Sequence, residues 1–520
     1  MNVNCLIVGF CLDAEKAEER EDMFTNLPDD FAYHIIKLLA VEDLLRLSFV
    51  SRRFRNLCLS TPNLRINSHN PVTNRGLSYR FGFINSLNRF MDQRHHDKTK
   101  IGTFSLSWSL LGSIISSEEF FFIKYLNQAV DCSAEEIRIR VVHPPGKPFE
   151  LPLFVLQSKS LRRLSVNTNG CLLKFPSLFA GFSSVQYLSV ESVLLDNDFC
   201  KDWIPGFFKS LRELKIKSFL GMTTINITSN SLESITIYDL RYNGLYHLAI
   251  AAEKLQKLKI AWYPPLDTVT TCLQINAPNL VDFEYTGEPV KYYRCLGGLP
   301  VVNKVVLNLR IPNQLALDQA LSSYNLRELL QSFGSVRKLN LYQQSLEMFS
   351  KRISFPVLFN NLEVLVLNVV NFNENVVPVL ASLLRGTPNL TGLHISSGFS
   401  SVGTEVTQSK EILFDVQYWQ SQKMTFHQLH TLRVYYHKGK NMLELVKYLA
   451  ANAEKLRVII ILYSDPVSLD SSMDVVRSKK ASTTVYFMKY SGAGLESVTC
   501  VDALCKSPYC CAKTNYVHTK

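Results

Sequence analysis

The chain contains no long hydrophobic run. Its most apolar early stretch, Val3 to Leu12, is ten residues long, too short to cross a bilayer and without the basic flank of a signal peptide. No membrane association is expected. Cysteines are present but never as a Cys-x-x-Cys pair, which removes zinc ribbons and dithiol redox sites from consideration. Scattered single cysteines behave as small hydrophobes and suit a reducing compartment, so the expected location is the cytoplasm, the nucleus or both. A concentrated excess of one charge is also missing. The net charge of +11 is spread thinly over 520 residues, whereas nucleic-acid binding calls for a basic face interleaved with aromatics, and no nucleic-acid partner is expected.

Catalytic signatures are absent as well. There is no Walker loop, no GxGxxG, no HExxH and no GxSxG elbow. His95 and His96 lie in RHHDKTK, a pattern of a solvated loop. Cys200 and Cys272 read as structural cysteines in or beside repeats. No catalytic residue, metal or cofactor is expected, and the chain is read as a non-enzyme. With 47% hydrophobic and 19% charged residues the composition is nonetheless that of a folded protein.

What is present is a repeated phrase: apolar, two variable, apolar, one variable, apolar. It occurs as SLRRLSV at 160–166, SVQYLSV at 184–190, SLRELKI at 210–216, SLESITI at 231–237, KLQKLKI at 254–260 and NLVDFEY at 279–285. Later copies are SVRKLNL at 335–341, NLEVLVL at 361–367, NLTGLHI at 389–395, QLHTLRV at 428–434 and KLRVIII at 455–461. From Leu161 to Leu280 the spacing is 24, 26, 21, 23 and 25 residues, the period of a leucine-rich repeat. The x-Leu-x-Leu-x portion is a short strand with alternate residues turned inward. No unit buries its apolar side alone, so stacked neighbours must supply the core. The expected fold class is an α/β solenoid, a curved array with an extended concave face. Residues 311–330 are expected to be helical on the convex side, and 396–427 to be a mobile loop.

On that face the outward positions include Arg163, Ser165 and Asn167, then Tyr187, Ser189 and Glu191, then Glu213, Lys215 and Lys217. Ser234, Thr236 and Tyr238 follow, then Lys257 and Lys259, then Asp282 and Glu284. Lys215, Lys217, Lys257 and Lys259 should fall two strands apart and form a modest basic patch, which makes them candidates for contact with an acidic or phosphorylated target. Solvated lysines on a twisted sheet are the plainer explanation.

Ahead of the repeats, residues 27–59 form a denser apolar pattern. Leu27 and Pro28 open it, and Asp29 and Asp30 favour the positive end of a helix. Phe31, Ile35, Ile36, Leu38 and Leu39 recur at helical spacing. Glu42 and Asp43 open a second helix with Leu44, Leu45, Leu47 and Val50, and Ser51 can cap a third that carries Phe54 and Leu57. Some 35 residues cannot bury this much apolar surface on themselves, which points to a docking surface.

The opening Leu27-Pro28 with acids behind it, the Ile35/Ile36 pair, Asp43 with Leu44, and the run from Val50 to Leu57 together resemble the F-box. Phe54 stands where many F-boxes carry Trp, and Ser51 where many carry Cys. The segment 427–462, with Trp419 ahead of it, Lys438-Gly439, Glu444-Leu445, Tyr448-Leu449 and Asn452-Ala453, resembles the FBD segment of plant F-box/leucine-rich-repeat proteins, though without the Pro that often follows the Trp. The resemblance covers roughly residues 24–465. It implies a small three-helix F-box and a substrate-recognition subunit of an SCF-type ubiquitin ligase. The F-box would bind the adaptor subunit, and through it cullin, while the repeats hold an unknown target protein. The adaptor-binding residues would be Leu27, Pro28, Ile35, Ile36, Leu44, Leu47, Val50 and Phe54. The alternative is a ligand sensor or an interaction scaffold acting outside the ligase.

The expected organisation is an N-terminal extension at 1–23, expected to be disordered, an F-box at 24–66 and a connecting segment at 67–98. Repeats follow at 99–425, then an FBD-like terminal repeat at 426–466 and a tail at 467–520. The cysteines clustered in that tail match no zinc spacing, and the tail reads as disordered.

Overall fold

A computed structural model of the chain describes residues 27–68, 77–110, 115–142, 147–175, 184–195, 208–239, 244–263, 271–296, 298–310, 328–350, 359–369, 372–396, 413–422, 424, 426–436, 440–463, 482–491 and 494–501. It divides into two units, Met1–Lys147 with Leu151–Val166, and Pro148–Glu150 with Asn167–Lys520.

The first unit begins with three short helices, α1 (Asp29–Ile36), α2 (Val41–Ser48) and α3 (Arg52–Ser60). Acids sit in the first turns of α1 and α2, where the helix dipole favours them. The Ser51 hydroxyl accepts from the Phe54 amide at 3.2 Å and caps α3, as its sequence position predicts. Strand β1 (Asn63–Asn67) then starts three residues after α3 ends. It pairs in parallel with β2 (Thr103–Ser109), and β2 with β3 (Glu136–Val142), so that Leu64, Phe104 and Ile137 share one buried row and Ile66, Leu106 and Ile139 the next. Helices α4 (Leu77–His96) and α5 (Ile115–Asp131) lie between these strands in sequence. The ladder therefore begins at Asn63, and a 20-residue helix occupies most of the stretch expected as a connector.

Two buried arginines hold this unit. Arg94 of α4 donates to the backbone carbonyls of Cys58, Leu59 and Thr61, the last being 2.8 Å away, and so satisfies the carbonyls that the end of α3 leaves unpaired. Burial lowers the pKa of Arg94 to about 10. Arg80 forms a two-pronged ion pair with Glu118 at 2.6 Å, and Glu118 also accepts from the Trp108 indole at 3.1 Å.

After β4 (Phe149–Glu150), α6 (Leu153–Gln157) and β5 (Arg163–Asn167), the second unit builds a longer parallel ladder. In chain order its elements begin with β6 (Leu173–Lys174), which pairs with β4, then β7 (Tyr187–Leu194), β8 (Glu213–Leu220), β9 (Thr224–Thr228) and β10 (Ser234–Asp239). Next come β11 (His247–Ala251), β12 (Lys257–Trp262), β13 (Cys272–Asn276), β14 (Asp282–Gly287), β15 (Tyr292–Cys295) and β16 (Lys304–Leu309). Beyond these are β17 (Lys338–Tyr342), β18 (Val364–Asn368), β19 (Gly392–Ser396), β20 (Thr431–Tyr436), β21 (Val458–Tyr463), β22 (Thr484–Ser491) and β23 (Gly494–Val501).

The main ladder runs β7-β8-β10-β12-β14-β16 and onward to β22, all parallel, with β23 returning antiparallel. Register places Leu188, Leu214, Ile235, Leu258, Phe283 and Val305 in one inward row, continued by Leu339, Leu365, Leu393, Leu432, Ile459 and Val485; every one is buried. These are the middle apolar residues of the repeated phrase.

Between β8 and β16 each connection contributes a strand to a second parallel sheet, β9-β11-β13-β15. Thereafter helices α7 (Gln343–Ser350), α8 (Val377–Arg385), α9 (Val416–Ser421) and α10 (Lys440–Asn452) take up that role in the sequence. Gly287 ends β14 with φ +134°, and a Cβ there would lie 1.8 Å from the Trp262 carbonyl oxygen, so only glycine fits.

The FBD-like segment is strand, helix, strand as read. Leu443, Val446, Leu449 and Ala450 are buried, and so are Met442, Leu445 and Ala453. Trp419 is buried against Tyr418 and Tyr448, at ring-centroid distances of 5.3 and 6.5 Å. Gly439 and Lys438, the N-terminal extension, most of 311–330, much of 396–427, Cys200 and the cysteines after Val501 lie outside the described residues. The segment from 467 on holds β22 and β23, because Val485 and Phe487 continue the inward alternation of β21.

Candidate functional site

The helices α1 to α3 sort their apolar residues onto two sides. Ala32, Ile36, Leu39, Val41, Leu44, Leu45, Phe54, Cys58 and Leu59 are buried and form the module's interior. Phe31, Leu38, Phe49 and Val50 are exposed at 64%, 64%, 72% and 64%, which is unusual for side chains of this size and makes them a candidate docking surface. Pro28, Phe31 and Ile35 share one face of α1, and Leu38 lies in the turn after it.

The residues expected at the adaptor contact thus divide. Pro28 and Val50 are exposed, and Leu27, Ile35 and Leu47 are partly exposed. Ile36, Leu44 and Phe54 are fully buried inside the module, so their apolar atoms hold the helices together instead of facing outward. The reason is phase. In an eight-residue helix, adjacent Ile35 and Ile36 lie about 100° apart, and only one can point to the core. Phe31 and Leu38 were visible in the helical stripe, but their side was not. Phe49, in the turn after α2, carried no periodic signal.

Charges fix the entry to the module. Arg53 of α3 bonds the Asp29 carboxylate at 2.7 Å, donates to the Leu27 carbonyl and lies over the Phe54 ring. Glu42, at the start of α2, is buried, and burial pushes its carboxyl pKa up to about 7.

The second candidate surface is the outward side of the main ladder. Register puts Lys215, Thr236 and Lys259 in one row across β8, β10 and β12, so Lys215 and Lys259 stand two strands apart as expected. The positions are not a bare basic patch. Lys215 pairs with Glu213 at 2.9 Å and lies over the Tyr187 ring, and Lys259 pairs with Glu284 at 2.8 Å. Those carboxylates raise the pKa of both lysines. Lys217 lies over the Tyr238 ring, and Lys257 has Asp282 as its neighbour in register on β14. Every cation of this stretch has an acidic or aromatic neighbour.

From β16 onward the same rows change character. They read Lys304, Val306 and Asn308, then Lys338, Asn340 and Tyr342, then Val364, Val366 and Asn368. After these come Gly392, His394 and Ser396, then Thr431, Arg433 and Tyr435, then Val458, Ile460 and Leu462. No Asp or Glu occupies any of these positions. Among the described residues there is no cluster of three or more His, Cys, Asp and Glu placed to hold a metal ion, and no helix long and apolar enough to cross a membrane.

With the exposed apolar set on α1 to α3 in view, comparison with known domains is decisive for this segment. Residues 24–66 match the F-box domain. The F-box match therefore runs into β1, the first strand of the first unit's ladder, as far as Ile66. Over most of its length the chain also resembles F-box/LRR-repeat proteins of Arabidopsis thaliana. An F-box/FBD/LRR-repeat protein is 25% identical over 421 residues, covering 78% of this chain and 80% of the relative. An F-box/LRR-repeat protein is 23% identical over 455 residues, covering 85% and 89%. F-box/LRR-repeat protein 13 is 20% identical over 476 residues, covering 88% and 93%.

Proposed function

We propose that this chain is the substrate-recognition subunit of an SCF-type ubiquitin ligase. The F-box docks on the adaptor subunit and through it reaches cullin, and the repeats, as a curved solenoid, hold a target protein. The observation that carries this reading is the exposed apolar set Phe31, Leu38, Phe49 and Val50 on a segment matching the F-box domain. Burying side chains of this size contributes about 1.5–3 kcal/mol each, before the costs of association. The adaptor contact is accordingly assigned to Leu27, Pro28, Phe31, Ile35, Leu38, Leu47, Phe49 and Val50, with Ile36, Leu44 and Phe54 supporting it from the interior.

The chain itself performs no chemistry in this proposal. It raises the effective concentration of a target lysine at a charged conjugating enzyme, an entropic contribution that needs no catalytic side chain here. The setting is the cytoplasm or nucleus. Leu38→Asp combined with Phe49→Asp tests the reading: the adaptor subunit should no longer co-purify, while the circular dichroism spectrum and melting of the chain stay unchanged. Undiminished co-purification would remove it.

A further inference from the structure

We propose that the outward face of β16 to β21 is the target-recognition site, and that it takes an extended segment with acidic residues four to five apart and apolar residues between them. This rests on the substrate-receptor reading and adds to it the location and the chemistry of the partner.

The argument starts from charge. On the rows from β7 to β14 the cations are met by Glu213, Asp282 and Glu284. From β16 to β21 the rows contain Lys304, which has Asp282 of β14 beside it in register, and then Lys338 and Arg433, both exposed, neither in an ion pair among the described residues and neither with an acid beside it in register. Glu363, just before β18, is already paired with Arg337 at 3.5 Å. The positive field reaches the neighbouring imidazole: burial first, then Arg433 and Lys338, hold the His394 pKa below its ordinary value. A surface that carries cations without local acids is complementary to an anionic partner.

Spacing and shape narrow the class. Lys338 on β17 and Arg433 on β20 are three strand steps and two residues of register apart, about 16 Å on the diagonal at ~4.8 Å per step and ~3.4 Å per residue. An extended chain covers that distance in about four to five residues at ~3.4 Å each. Between the cations lie Val364 and Val366 on β18, and beyond them Ile460 on β21, all partly exposed. Gly392 interrupts the row between Val364 and Thr431. Its missing Cβ would stand 3.7 Å from the Val364 side chain and 3.9 Å from the His394 ring, so the position is a notch of side-chain width with an apolar and an aromatic wall. Apolar side chains on the partner match this pattern better than a phosphate backbone does, because three cations spread over the stretch are sparse for nucleic acid.

The test uses the full chain in complex with its adaptor subunit. The probe is a fluorescein-labelled twelve-residue peptide with Glu at every fourth position and Leu and Thr between, read by anisotropy. The same peptide with Lys for Glu, and a twelve-nucleotide single-stranded RNA, serve as comparisons. The acidic peptide should bind, weaken with salt, and lose at least tenfold in affinity in Lys338→Glu with Arg433→Glu. The neutralising pair Lys338→Gln with Arg433→Gln should lose less, and Lys215→Glu with Lys259→Glu should change little. Absence of acidic-peptide binding, equal binding of the Lys peptide, preference for the RNA, or equal loss from the Lys215/Lys259 pair would each overturn the proposal. Adaptor co-purification, measured in parallel, reports the F-box reading separately, since the ladder variants leave α1 to α3 untouched.

Discussion

Within residues 29–60 four large apolar side chains, one on α1 and three in the turns between helices, stand in solvent, whereas the second unit's ladder closes both of its inward rows from β7 to β22. Large apolar side chains exposed in the second unit, such as Leu220, Tyr292 and Val301, are scattered at strand ends and loops. The difference follows from size and geometry. A stack of parallel strands gives each inward residue a neighbour on both sides, so the core grows with every repeat. Three helices of eight or nine residues have one interior face each, and the remaining apolar positions have nowhere to go. A region that cannot complete its core is suited to constitutive docking, and one that can is free to vary its outward face.

Paired substitutions sharpen this contrast most. Phe54→Ala should cost about 3–5 kcal/mol, because it empties the interior of the helices, while Phe49→Ala should change stability by less than about 0.5 kcal/mol. Hydrogen exchange of residues 29–60 in the full chain separates the two, and equal effects would break the distinction between core and docking face. Arg80→Met should cost about 3–5 kcal/mol by leaving Glu118 charged and buried, with Glu118→Gln in the same chain restoring part of the loss in urea denaturation.

Glu42 offers a pH test of the same region. An acid whose folded pKa, about 7, lies above its unfolded value binds its proton more tightly when folded. Its stabilising effect is full below about pH 4.5 and is lost as pH rises through 7. Glu42→Gln should therefore stabilise the helices at pH 8 by on the order of 2 kcal/mol and do almost nothing at pH 4, measured by exchange at the two pH values. Removing the α3 cap with Ser51→Ala should cost about 1 kcal/mol. The smallest effect is expected on the ladder's surface: Lys259→Ala breaks an exposed pair and should shift stability by about 0–1 kcal/mol in thermal denaturation.

Much of this architecture was legible in residue patterns. The period-two alternation inside each phrase named the buried rows residue by residue, and Ser51 announced its cap. Legibility stopped where a residue's surroundings come from distant segments. Arg94 and Arg80 carry no local signal, yet their partners lie 29 to 38 residues away and decide how the first unit packs. The second sheet β9-β11-β13-β15 was also hidden, since its strands fall in connections that the repeat phrase leaves variable. Lys215 and Lys259 were placed correctly in their row, but the carboxylates that neutralise them come from the same strand in one case and from β14 in the other.

By itself the sequence determined the two kinds of structure, short amphipathic helices followed by stacked strands, because periodicity is a local property of the chain. Tertiary structure alone decided which side of each helix is core and which outward cations are left unpaired. Both depend on what packs against a residue from far along the chain, and no local pattern records that.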